Sequence, residues 1–168
     1  GTGELIVFLG PETEMAGEDW IDQLLTHAEM PGVGAVGPTL LRPDGRVSAS
    51  GFAIGLADPA TPVMRGFEAD SDGYYGALCC AREVSALGIG CMLVRRSLFE
   101  RVGGFEEAYS RQFADHDLCL KLREAGRQVG TLVLLDAPAP ADREPEGRDT
   151  PALARAAAAL WGIEVEKE

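Results

Sequence analysis

Glu4-Leu5-Ile6-Val7-Phe8-Leu9-Gly10-Pro11 is a near-continuous apolar run stopped by a turn-forming pair. A strand with one wet face would alternate polar and apolar residues; this run does not, so it reads as a strand covered on both faces. A helix is expected from about Ala16 to Met30. Trp20, Leu24, Leu25 and Ala28 fall on one of its faces, acids occupy its first turn, and Pro31-Gly32 follow its end. Gly32-Val33-Gly34-Ala35-Val36-Gly37 reads as a second buried strand whose glycines admit close backbone neighbours. Strand, helix and strand in that order imply a right-handed crossover and place the chain in the α/β class.

Beyond this unit, Leu40-Leu41-Arg42-Pro43-Asp44-Gly45-Arg46-Val47 is a hairpin signal, with Pro setting the turn and Gly taking its left-handed position. Gly51 to Gly76 has no sustained period and reads as a long surface loop. Val84 to Val94 returns to a buried strand, interrupted by Gly88 and Gly90. Ser97-Leu98-Phe99-Glu100 fits a capping box opening a short helix, which Gly103-Gly104 ends. Asp117 to Ala125 predicts a helix with Leu118, Leu122 and Ala125 on one face and Gly126 as its stop. Val129 to Leu135 is one more strand. Asp136 to Arg148 reads as a loop, and Thr150-Pro151 opens a last helix with Leu153, Ala157, Leu160 and Trp161 as its buried stripe. The expected organisation is a single domain over 1–168, with 136–168 a loop and C-terminal helix extension.

The chain has 168 residues, enough for one domain and a core that needs no staples. Its 27 acids against 15 bases give a net charge of −12, which argues against nucleic acid or an anionic membrane as partner. No apolar run approaches the roughly 20 residues of a membrane span. The first base is Arg42, preceded by seven acids: Glu4, Glu12, Glu14, Glu18, Asp19, Asp22 and Glu29. A phosphate site in that stretch would need a metal ion or residues from elsewhere. Cys79 and Cys80 are adjacent, a poor geometry for bridging, and Cys91 and Cys119 sit in apolar runs, so a reducing, cytoplasmic setting is expected. His27 and His116 show no ligand spacing with the cysteines, so no zinc site is expected.

Two stretches can carry chemistry. In Leu9-Gly10-Pro11-Glu12-Thr13-Glu14, a carboxylate at the carboxyl end of a strand could hold a divalent cation and through it phosphates; equally, Glu12 and Glu14 could simply favour the dipole of the following helix. In Phe113-Ala114-Asp115-His116-Asp117-Leu118-Cys119-Leu120, two aspartates lie where a loop is expected to become a helix. One can cap the helix, and the other can then face a cleft and take a proton from an attacking hydroxyl. His116 between them reads as exposed.

These stretches, in their order and spacing, resemble inverting family-2 glycosyltransferases of GT-A fold. The resemblance is carried by Leu5-Ile6-Val7-Phe8-Leu9, Trp20-Ile21, Gly32 to Gly37, Pro43-Asp44-Gly45, Val84-Ser85-Ala86, Cys91-Met92-Leu93-Val94-Arg95-Arg96, Val102-Gly103-Gly104-Phe105 and Asp115-His116-Asp117-Leu118-Cys119-Leu120. It covers about residues 4 to 135. It implies a partial GT-A-like, nucleotide-diphospho-sugar transferase-like three-layer sandwich with a mostly parallel central sheet. The implied reaction moves a sugar, by hexosyl- or rhamnosyl-type transfer, from a nucleotide-diphosphate donor to a hydroxyl of a glycan or lipid acceptor. The implied base is Asp115, with Asp117 in the same catalytic motif. Glu12 stands at the donor and metal-motif position, where the family uses Mg²⁺ or Mn²⁺. The later half of the family's fold forms the acceptor side, and Arg65, Tyr74 and Tyr75 are the acceptor-side candidates.

Four departures weigh against catalysis. Gly10-Pro11-Glu12 keeps one carboxylate where the family has a DxD-type motif, which makes a poor metal site, so no cofactor is expected in this chain. No His stands in Ala137 to Glu144, where the family has one, and Ala114 replaces the acid before the base. The resemblance also begins at the metal-motif strand, so the family's N-terminal nucleotide-binding half is expected to be missing. The expectation is therefore a glycosyltransferase-like domain inactive or incomplete by itself. The alternative is a non-catalytic interaction or scaffolding module on the same fold. Uncovered sheet at Leu5–Leu9 and Val33–Gly37 suggests a homodimer through that edge, or the terminal helix folded over it. A nucleophilic hydrolase finds little support, because Ser85, Ser97 and Cys91 lack a nearby His in a strand–turn–helix context.

Overall fold

In the first strand, β1 (Leu5–Leu9), Ile6 and Phe8 feed one core cluster while Leu5 and Val7 feed another. That is why the run is apolar throughout: both faces are covered. The computed structural model describes residues 3–15, 17–56, 59–109 and 111–132. One face of the sheet packs on α1 (Trp20–Ala28), which buries Leu24 and Ala28. The other packs on α2 (Arg96–Arg101) and α3 (Arg111–Glu124), through Leu98, Leu118, Cys119 and Leu122. Phe8, Phe99 and Phe105 meet there as tilted and edge-on pairs, with ring centroids 4.8 to 5.5 Å apart.

The central sheet contains β1, β2 (Val33–Pro38), β7 (Arg82–Glu83), β8 (Cys91–Arg95) and β9 (Gln128–Leu132), in the order β1-β8-β2-β9-β7. The sheet is mostly antiparallel, which corrects the parallel expectation: only the β2–β9 pairing is parallel. The strand–helix–strand unit exists, but it spans an intervening strand. β1 and β2 are each antiparallel to β8 and therefore parallel to one another. Gly37 permits this insertion, because a Cβ there would lie 2.7 Å from the Cys91 carbonyl oxygen.

Between β2 and β7 the chain builds a small lobe. β3 (Leu40–Leu41) and β4 (Val47–Ala49) form the expected hairpin, with Gly45 at φ 81° and the Arg46 N–H donating to Asp44 Oδ1. The expected loop from Gly51 to Gly76 is more ordered than its composition suggests. It contains a second hairpin, β5 (Phe52–Ile54) and β6 (Ala60–Pro62), and a 3₁₀ turn at Tyr74–Gly76. The lobe is tied to the sheet where the Phe52 and Ala86 backbones exchange hydrogen bonds of 2.8 and 3.2 Å. It is also tied where Arg82 donates from Nη2 to the Ser50 carbonyl at 2.6 Å.

Other boundaries moved as well. α1 begins at Trp20, and the Asp19 carboxylate before it accepts from Gln23 Nε2 instead of capping the backbone. α2 begins at Arg96 with no side-chain cap, so Ser97 lies inside its first turn and forms no capping box. The Val84–Val94 run divides: a bridge segment from 84 to 90 precedes β8. α3 starts at Arg111, six residues before the expected Asp117, so both aspartates lie inside the helix and not at its opening. The expected loop and helix over 136–168, and the last three residues of the Val129–Leu135 strand, lie outside the described residues.

Candidate functional site

The carboxyl end of β1 meets the amino end of β8, with Leu9 opposite Cys91. One residue further on, the Gly10 N–H donates to the Gly90 carbonyl at 2.9 Å. The next residue back, Ile89, donates its N–H to Asp115 Oδ2 at 2.8 Å. A short backbone path therefore joins the Gly10-Pro11-Glu12 stretch to Asp115, although the two are far apart in the sequence.

Asp115 is the fifth residue of α3 and caps nothing. It is 4% exposed, and its Oδ1 accepts the His116 N–H at 2.8 Å. Burial pushes its carboxyl above the ordinary value, opposed by the His116 charge and by the N–H donors of Ile89, His116 and Asp115 itself. A carboxylate of raised proton affinity, fixed by two short hydrogen bonds, is suited to accept a proton. Beside it, a Cβ on Gly88 would lie 3.9 Å from Asp115 Oδ2 and 3.1 Å from Phe52 Cε2. Gly88 has no positive φ, so the missing side chain here spares space and not backbone strain.

Ala114 to Cys119 are consecutively buried. This overturns the reading of His116 as exposed: it is 8% exposed, and its ring lies tilted against Phe52 with centroids 4.6 Å apart. The lobe, which local sequence could not place against α3, supplies that cover. Asp117 is also buried, but Lys121 Nζ stands 2.6 Å from its Oδ2 and also reaches the Gly104 carbonyl. Residues two apart on a helix point away from each other, so Asp115 and Asp117 do not converge.

Glu12 is exposed at the carboxyl end of β1. Among the described residues no three of His, Cys, Asp or Glu stand together as a cation site. No chemistry is routed through an ion at Glu12. Arg65 is exposed in the turn after β6; Tyr74 and Tyr75 form an edge-on pair, 67% and 98% exposed. The structure brings neither tyrosine into the Asp115 corner through any described contact. Cys91 and Cys119 are buried thiols pushed up to about 12 by burial, which leaves them unreactive. Phe52, Gly88 and Ile89 were missed as site residues. The break in the Val84–Val94 run at Gly88 was the one available signal for them.

These features define an α/β domain with a buried carboxylate at a strand-end corner, and comparison with known proteins places that class. No family model matches the chain. It is 35% identical over 125 residues to an uncharacterised protein of Sinorhizobium fredii, covering 74% of this chain and 14% of that one. It is 34% identical over 129 residues to the O-antigen biosynthesis protein RfbC of Myxococcus xanthus, covering 76% and 10%. It is 31% identical over 134 residues to an N-acetylglucosaminyl-diphospho-decaprenol L-rhamnosyltransferase of Mycobacterium tuberculosis, covering 72% and 42%. The fold matches a mannosyltransferase of Pyrobaculum calidifontis with a TM-score of 0.51 at 16% identity, over 100% of this chain and 42% of that one. The chain is a family-2 glycosyltransferase-like domain, and it spans less than half the length of each of these proteins. No helix among the described residues is long and apolar enough to cross a membrane.

Proposed function

We propose that this domain is the acceptor-side part of an inverting glycosyltransferase, with Asp115 as its base. The acceptor hydroxyl gives its proton to Asp115, its oxygen bonds to the anomeric carbon of a nucleotide-diphosphate sugar, and the carbon–diphosphate bond breaks with inversion. The acceptor class is a glycan or lipid-linked glycan, in keeping with the rhamnosyltransferase and O-antigen proteins among its relatives. The observation that carries the reading is the buried Asp115 carboxylate, held by the Ile89 N–H beside Gly88. Transfer assays with nucleotide sugars and an N-acetylglucosaminyl-diphospho-decaprenol acceptor test it. A positioned base contributes about 10²–10⁴-fold, so Asp115→Asn should lose at least the lower figure while remaining folded. Retained turnover in that variant rejects the base.

A Gly10-Pro11-Glu12 stretch with one carboxylate where the family has a DxD-type motif favours a second reading, a binding or scaffolding module that has kept the acceptor side. Calorimetry with nucleotide sugars and Mn²⁺ separates the two. The second reading expects no micromolar, metal-dependent signal, and such a signal overturns it. Either reading leaves the outer edge of β1 without a partner strand among the described residues. A second copy of the chain is the proposed cover. Light scattering that gives a concentration-independent mass near 17.8 kDa overturns that pairing.

A further inference from the structure

The Asp115 corner is closed. The residue is 4% exposed, and its two carboxyl oxygens accept the N–H groups of Ile89 and His116. A Cβ on Gly88 would already lie 3.1 Å from the Phe52 ring and 3.9 Å from Asp115 Oδ2. A hydroxyl must come within about 2.6–3.2 Å of a base to give it a proton. Where a single added carbon is crowded, a sugar cannot make that approach until Phe52 moves. The Phe52 ring also covers His116, with centroids 4.6 Å apart, and neither nitrogen of that buried imidazole has a hydrogen-bond partner. Buried polar atoms are normally paired, so an unpaired imidazole under this cover carries a desolvation cost that water would relieve.

The cover is held at a narrow seam. Phe52 and Ala86 form an isolated bridge, closed by two backbone hydrogen bonds of 2.8 and 3.2 Å, whereas β1 and β8 pair along their whole length. Each side of the seam is firm in itself. On the sheet side, the Val84 N–H donates to the Val129 carbonyl at 2.8 Å, and the Leu87 N–H reaches Cys119 Sγ at 3.3 Å. On the lobe side, the Val47 N–H donates to the Phe67 carbonyl at 2.8 Å, and Leu41, Val47 and Leu78 form a cluster separate from both cores of the sheet. Arg82 crosses the seam, donating from Nη2 to the Ser50 carbonyl at 2.6 Å and from Nε to the Ala77 carbonyl at 3.3 Å. Native proteins open most readily where few bonds join two units that are well bonded within themselves.

We propose that the Phe52–Ala86 seam is a gate over Asp115, with Arg82 as its latch. The bridge parts, the Phe52 ring leaves His116, and the Asp115 carboxylate becomes reachable by an incoming acceptor hydroxyl. Closure then shuts water out of the corner, as lids do in other enzymes. The purpose of the gate rests on the reading of Asp115 as the proton acceptor; its opening does not.

Amide hydrogen exchange of the whole chain, read by NMR, tests the gate without donor or turnover. The Phe52 and Ala86 amides should be protected about tenfold less than the Val47 amide inside the lobe and the Val84 amide on the sheet side. Arg82→Lys keeps the charge but loses the planar fork that spans both carbonyls. It should speed exchange at Phe52 and Ala86 by about threefold or more and leave Val47 within about twofold of wild type. Equal protection at all these amides overturns the gate. So does a Val47 amide exchanging as fast as Phe52, because the lobe would then be unfolding as a whole. Unchanged exchange at Phe52 and Ala86 in the folded variant overturns the latch, and the wild type decides alone on the gate if the variant loses its native shift dispersion. An open seam together with full transfer activity in Asp115→Asn would reject the base and keep the gate; a rigid seam with lost transfer would do the reverse.

Discussion

The two ends of the Gly10–Asp115 path are built differently. At the β1 end, Glu12 is an exposed carboxylate on a turn. At the α3 end, Asp115 is buried, doubly hydrogen-bonded and roofed by the lobe through Phe52. A surface acid can be lost or replaced with little effect on folding. A buried, ionisable helix residue persists only if the surrounding structure tolerates its cost, and such sites cluster where chemistry is done. On the proposed reading, the contrast favours the Asp115 corner over the Glu12 turn as the place where a proton is taken.

The sharpest way to break the contrast is to compare core with surface. Leu118 is 0% exposed and lies one turn from Asp115 on α3. Leu118→Ala should cost about 2–5 kcal/mol through the cavity it leaves. Glu12→Ala should stay within about 0.5 kcal/mol of wild type. Urea unfolding checks both. A large loss at Glu12 would mean that its end of the path is structural after all.

Next in size is Gly88→Ala. Its Cβ would press on Phe52 and narrow the space beside Asp115, at about 1–2 kcal/mol for an overpacked contact. Acceptor turnover should fall further than this stability loss accounts for. Equal turnover in a folded variant would show that substrate does not approach Asp115 past Gly88.

A third test uses pH. The folded Asp115 carboxyl lies above its ordinary value of 3.8, with burial as the first cause. The folded state therefore binds the proton more tightly than the unfolded state. The stability this contributes is fully present below 3.8 and is lost as pH rises through the folded value. Asp115→Asn should flatten that fall and raise the melting temperature at neutral pH, while removing transfer. Calorimetry from pH 3 to 8 reads the difference. A variant less stable than wild type at pH 7 would show that the carboxylate's hydrogen bonds outweigh its burial.

The parts legible in the sequence are those decided locally. The apolar run of β1, the Leu24–Ala28 face of α1 and the Pro43-Asp44-Gly45 turn each carry their own period or turn chemistry. The direction of the sheet did not show, because it depends on β8 entering between β1 and β2, a pairing across more than fifty residues made possible by Gly37. Asp115 was recognised as a residue, but not its setting. Its Ile89 donor lies 26 positions away, and the cover over His116 comes from Phe52 in a lobe whose hairpin looked like loop. Burial of three consecutive polar residues on one helix is a tertiary fact with no local signature.

The smallest expected effect lies furthest from the corner, at the lobe's tip. Tyr75 holds φ 52° with its ring 98% exposed, edge-on to Tyr74 at 5.2 Å. A non-glycine residue in the left-handed region carries about 1 kcal/mol or more of strain, and so exposed a ring recovers little of it through packing. Tyr75→Gly should therefore raise stability by about 0.5–1 kcal/mol, measured by urea unfolding. Exposed aromatics held at a backbone cost are a recognisable way to present a flat face to a sugar ring. The same variant should bind an oligosaccharide acceptor several-fold more weakly, read by glycan titration under NMR. Opposite signs in the two measurements would extend the acceptor side from Asp115 to the lobe. A variant that gains stability and binds unchanged would confine the acceptor side to the Asp115 corner.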